Sequence, residues 1–169
     1  MPLYHISCNH YEEGRSFIER DEHSDFHLRA VERENGWVND FLEEINPVAF
    51  PRSKAYFAFA EVAHCLYYFS KNECTNDVYY VYEVEMPSPI SAPIVLSDLI
   101  GNLGQNHRHL EALGNEYWNP QREWTVKEYV DSSMTIVREV TDFTAILKAK
   151  GANDWSLDIQ LRNTFINNL

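Results

Sequence analysis

Twelve residues constrain this chain more than any other stretch: Tyr56-Phe57-Ala58-Phe59-Ala60-Glu61-Val62-Ala63-His64-Cys65-Leu66-Tyr67. Ala55 to Phe59 alternates as a strand does, with Ala55, Phe57 and Phe59 on one face and Tyr56 and Ala58 on the other. Val62, Cys65/Leu66 and Phe69 then recur at helical spacing, so strand turns straight into helix. Tyr56 projects away from the two phenylalanines. Tyr67, on the helix, could return over the same cleft, and two tyrosines held this way could flank a flat ring. The same spacing serves a packed core equally well.

The other elements follow from period and punctuation. Leu3 to Ser7 reads as a strand carrying His5, and Ser24 or Asp25 caps a helix running through Val31 to Asn35. A helix over Trp37 to Ile45 places Trp37, Phe41 and Ile45 on one side. Val78 to Met86 alternates as a strand, and Pro87, Pro89 and Pro93 mark an irregular surface crossing. Short helices are expected from Ser97 to Leu103 and from His107 to Leu113, the second ended by Gly114. Trp124 to Val130 and Met134 to Val140 read as a hairpin about Asp131-Ser132-Ser133. One or two short helices around Gly151 complete the chain. Strands interspersed with helices, without a regular βαβ rhythm, predict an α+β class in a single domain over residues 1–169, with 141–169 as a C-terminal extension.

Charge narrows the partners. The net charge of -12, from 26 acidic against 14 basic residues, repels phosphate backbones, although Arg15, Arg20, Arg29 and Arg33 lie close enough in sequence to form a local basic groove. Three cysteines, Cys8, Cys65 and Cys74, fit a reducing compartment better than a disulfide scaffold. Met1 to Arg20 holds no apolar run, so no cleaved signal is expected, and Ala55 to Phe69, the most apolar window, is too short to span a bilayer. A soluble, cytoplasmic protein is expected, or one delivered into a target cell's cytosol.

Glu128 shares a strand face with Val126 and Val130. A carboxylate among valines either meets a cation in the core or faces a cleft, because burying it alone is costly; on an edge strand it would face water. With Leu-Tyr-His5-Ile-Ser7 before it, and Tyr56-Phe57-Ala58 followed by Tyr67, Lys127-Glu128-Tyr129-Val130 resembles the His–Tyr–Glu pattern of ADP-ribosyltransferases. The similarity is to the diphtheria-toxin and poly(ADP-ribose) polymerase branch, which carries His-Gly-Ser/Thr, Tyr-x10-Tyr and a late Glu. It extends from Leu3 to Val140 with all three pieces in order.

The resemblance implies an ADP-ribosyltransferase-like split β-sheet with flanking helices, clasping NAD as substrate. His5 would bind the adenosine ribose with support from Ser7, Tyr56 and Tyr67 would enclose the nicotinamide, and Glu128 would hold the 2′-hydroxyl of the nicotinamide ribose. Catalysis would fall to Glu128, Tyr56 and His5. Arg52, just before the key strand, could meet the pyrophosphate or form a surface salt bridge. Two departures stand out: Ile6 replaces the motif glycine, and the long interval from His5 to Tyr56 leaves room for the helix Trp37 to Ile45 beside the cleft.

Several residues compete for these roles. Glu83-Val84-Glu85 imitates the Glu-x-Glu of the arginine-specific branch, but alternation puts both glutamates on a solvated face. Glu116 and Glu123 are rivals to Glu128, which its strand position favours. His23/His27 and His107/His109 lack partners at a zinc spacing, so no metal is expected. The expected activity is NAD-dependent ADP-ribosyl transfer to an acceptor, a protein or small molecule ahead of nucleic acid, in a bacterial or phage toxin that a neutralising antitoxin or immunity partner could hold in check. The alternatives are a catalytically silent NAD-binding or protein-interaction module of the same fold, and an NAD glycohydrolase.

Overall fold

The computed structural model describes residues 1–18, 31–32, 34–46, 51–71 and 78–169. The helix expected through Val31 to Asn35, the pair His23/His27, and Arg20, Arg29, Arg33 and Cys74 lie wholly or partly outside them. In chain order come β1 (Leu3–Ser7), β2 (Ser16–Phe17), α1 (Trp37–Ile45), a 3-10 turn (Arg52–Lys54), β3 (Tyr56–Phe59), α2 (Val62–Lys71), β4 (Tyr80–Glu85), β5 (Ile90–Pro93), α3 (Ile94–Leu103), α4 (Leu110–Trp118), β6 (Lys127–Asp131), β7 (Met134–Val140) and α5 (Ala145–Asn167). The strands form one antiparallel sheet in the order β2-β7-β4-β1-β3-β6-β5, so the class is mixed α and β.

Directly paired residues of an antiparallel sheet point to the same face. On one face Ile6, Phe59, Val81 and Val126 pack with Cys65 and Leu66 of α2 and Trp155 of α5. On the other, Leu3, Tyr56, Ala58, Tyr82, Val84 and Ile136 form a separate cluster, over which Tyr11 and Phe17 close. A third cluster joins Leu42 of α1, Leu96 and Ile100 of α3, Leu113 and Tyr117 of α4, and Trp124.

The sheet has one narrow seam. β1 meets β4 through five residue pairs and β3 meets β6 through four, but β1 meets β3 only at Tyr4↔Phe59. Beyond that pair His5 bridges the strands with its side chain, Nδ1 lying 2.7 Å from the Phe57 carbonyl. The nitrogen must carry its proton to donate there. The seam divides β2-β7-β4-β1 from β3-β6-β5.

The expected β6–β7 hairpin does not form: β6 pairs with β3 and β5, whereas β7 pairs with β4 and β2. The short polar link between them carries the chain across the seam. Asp131, 3 % exposed, holds its start, one carboxylate oxygen taking the Ser132 N–H at 2.6 Å and the other the Ser88 N–H at 2.7 Å.

Gly114, expected to end a helix, instead lies inside one, as does Gly151. A Cβ on Gly114 would come 2.7 Å from Ile45 Cδ1, and one on Gly151 would come 2.2 Å from the Ala63 carbonyl oxygen. Each glycine lets a neighbouring helix approach closely, and α4 and α5 run on through them. The proline-marked crossing after β4 contains the edge strand β5, whose last residue, Pro93, pairs with Lys127; an edge tolerates proline.

Candidate functional site

Glu128 stands second in β6, opposite Phe59 on one side and Ala92 on the other, and so faces the helix-covered side. It is 2 % exposed between the fully buried Val126 and Val130. A carboxylate there demands a partner. Arg52 supplies one, its Nη2 donating to Glu128 Oε1 at 2.7 Å. The Tyr117 hydroxyl of α4 donates to the same oxygen. Arg52 Nε donates to the Tyr117 hydroxyl at 3.0 Å, and Nη1 donates to Asn39 Oδ1 of α1. The guanidinium also lies over the Phe57 ring, 5.1 Å from its centroid.

Burial works against the charge on Arg52. Tyr117 and Glu128 outweigh it, and the guanidinium pKa stands above its ordinary value. Burial pushes the Tyr117 phenol up, with Arg52 opposing and Glu128 reinforcing, so this hydroxyl keeps its proton. Oε2 of Glu128 takes no hydrogen bond from a described residue.

The residues expected to clasp NAD divide between the two faces. Arg52 and Glu128 come together, although Arg52 is committed to the acid rather than open to a pyrophosphate. His5, Ser7 and Tyr56 belong to the opposite face. His5 pairs with Tyr82 and Ser7 with Tyr80, while Tyr56 is 5 % exposed in the Tyr82 cluster, its ring 5.6 Å from Phe17. Tyr67 shares the face of Glu128, but its ring packs 5.5 Å from Trp155. The two tyrosines therefore do not enclose a common space, and Phe57 is the ring of the Tyr-Phe-Ala run nearest the acid network. Ile6 turns its side chain into the core beside Phe59 and Cys65.

The rival acids have other duties. Glu116 Oε1 accepts the N–H groups of Gln121, Arg122 and Trp124 Nε1, tying the end of α4 to the following loop. Glu123 is exposed. Glu83 pairs with Arg138 at 2.8 Å, and Glu85 lies in water. Asn39 and Tyr117 are absent from the sequence reading of the site, because nothing local ties helix positions 39 and 117 to residue 128.

A second polar cluster lies between α2 and α5. Glu61, His64 and Asp154 present one ligand-type atom each within 4.8 Å of one another, and are the described residues that could hold a metal ion. Lys150 already bridges the two carboxylates, at 2.5 Å from Glu61 and 2.8 Å from Asp154. His64 Nε2 meets Asp154 at 2.9 Å, and its buried Nδ1 has no hydrogen-bond partner among the described residues. An open groove of about 650 Å³, lined by Ile45, Asn115, Glu116, Trp118, Gln121 and Phe165 among others, contains none of the expected NAD-binding residues.

No protein-family model matches this chain, and no curated protein matches it. Among the described residues no helix is long and apolar enough to cross a membrane.

Proposed function

We propose that this chain is an NAD-dependent ADP-ribosyltransferase, which breaks the nicotinamide–ribose bond and passes ADP-ribose to an acceptor. The observation that carries the reading is Glu128: a carboxylate in the strand next to β3, pinned through one oxygen by Arg52 and Tyr117, with its second oxygen unclaimed by any described residue. Departure of nicotinamide develops an oxocarbenium-like cation, and a fixed carboxylate stabilises that charge, as in glycoside hydrolysis. The narrow β1–β3 contact supports it as well, as the place where a split of the sheet would fall. The Tyr-Phe-Ala run and His5 flank that seam.

Nicotinamide would be held against Phe57, with Glu128 at the ribose 2′-hydroxyl. The acidic surface favours a protein or small-molecule acceptor over nucleic acid. Such an enzyme would work as a toxin or modifying factor in the cytosol of its own or a target cell, with a neutralising partner. One observation favours a second reading, a silent module of the same fold. Arg52 neutralises Glu128, and His5 and Tyr56 stand on the far face.

Nicotinamide release from NAD, measured by chromatography, separates the two. The wild type should release it, and Glu128→Gln should do so more slowly by about a hundredfold or more. No release by the wild type leaves the silent module. NAD labelled in the adenylate, incubated with lysate, then tells transfer from hydrolysis, because only a transferase labels a macromolecule or other acceptor.

A further inference from the structure

We propose that Tyr117 is a positioning residue for Glu128, its hydroxyl holding Oε1 in place so that Oε2 is the oxygen presented to the ribose of NAD. This deepens the transferase reading and rests on it for the identity of the ligand. The direction of the hydrogen bond follows from counting donors. A phenol has one proton, and Arg52 Nε–H must point at the Tyr117 oxygen, because a guanidinium cannot accept. The phenolic proton is therefore left for Glu128.

The hydroxyl is itself held firmly. Tyr117 is fully buried, its ring set edge-on to Trp118 at 4.8 Å. Trp118 Nε1 donates to the Leu42 carbonyl at 2.8 Å, tying α4 to α1, which also carries Asn39. Glu116, one residue before, clamps the same turn of α4 to the loop that leads into β6. The carboxylate is thus oriented by an element outside the sheet, and one whose own place is fixed from two sides.

Tyr117→Phe keeps the ring and removes the proton. Crystal structures of the wild type and Y117F should show the Glu128 carboxylate turned or divided between rotamers in the variant. In nicotinamide-release assays, kcat should fall about tenfold or more while the KM for NAD changes by less than roughly twofold. In an E128Q background, Y117F should have no further effect on rate. Should Y117F not fold, 3-fluorotyrosine placed at 117 alone, nearly isosteric and a stronger donor, must change kcat while the KM for NAD stays within roughly twofold.

A carboxylate that keeps its place in Y117F, or a Y117F effect that persists undiminished in E128Q, overturns the proposal. If the wild type releases no nicotinamide, the transferase reading falls, and the place of the Glu128 carboxylate in Y117F still decides whether Tyr117 positions it.

Discussion

Two ionic clusters on the helix-covered side of this protein look alike on paper and differ in what surrounds them. Around Glu128, the cation, the carboxylate and the phenol are all buried, and each was brought from a different element. Around Asp154, the bridging Lys150 side chain is 48 % exposed, and two of the partners, Lys150 and Asp154, are one helical turn apart. The first cluster gives water little access to the place of a lost partner, and the second gives it more. Desolvation, not the number of contacts, sets how much each cluster matters.

The largest expected effect comes from breaking the dry cluster. Arg52→Met leaves Glu128 buried and unpaired, and urea unfolding should show a loss of about 3–5 kcal/mol. Replacing both partners with apolar residues, as in R52M/E128L, should recover much of that loss. If the double variant is as unstable as the single one, the penalty does not come from an uncompensated charge.

Next comes the apolar side of the α2–α5 contact. Gly151→Ala would drive a Cβ against the Ala63 carbonyl and should cost about 1–3 kcal/mol or more in the same assay. Lys150→Met, at the same interface, should cost under about 1 kcal/mol at neutral pH and less in high salt. Equal losses for the two would mean that ion pairing, and not close approach, docks α5.

The smallest effect lies in acid. Burial alone would raise the Asp154 pKa, but hydrogen bonds from Lys150 and then His64 outweigh it and hold the carboxyl below its ordinary 3.8. A depressed folded value means that the contribution to stability is complete above 3.8 and is lost as pH falls through the folded value. Stability measured at acid pH should therefore fall less steeply in that window for K150M than for the wild type. Identical slopes would show that Lys150 does not set the titration.

Much of the fold was legible because its elements are locally periodic. β1 and α1 have the bounds that alternation and helical spacing predict, and β3 turns into α2 as the Tyr56–Tyr67 stretch requires. The misreadings share a cause. Gly114 carries a helix-ending signal, and the close approach of Ile45 makes it a packing position inside α4 instead. The Asp131 turn carries a hairpin signal, but its carboxylate takes the Ser88 N–H, 43 residues away, and the strands on either side pair in opposite halves of the sheet.

The candidate site shows the same division. That Glu128 would be either buried among valines with a partner or at an edge in water followed from its neighbours in the chain, and the structure gives the first. That the partners are Arg52 and Tyr117, with Asn39 behind Arg52, did not. Nor did the separation of Tyr56 from Glu128 onto opposite faces, which depends on the register Phe59↔Glu128. Side-chain period reports how a residue sits relative to its chain neighbours, so burial and element type can be read from a string of letters. Which groups meet depends on loops closing over tens of residues, and one step of register would have turned Glu128 to the other face.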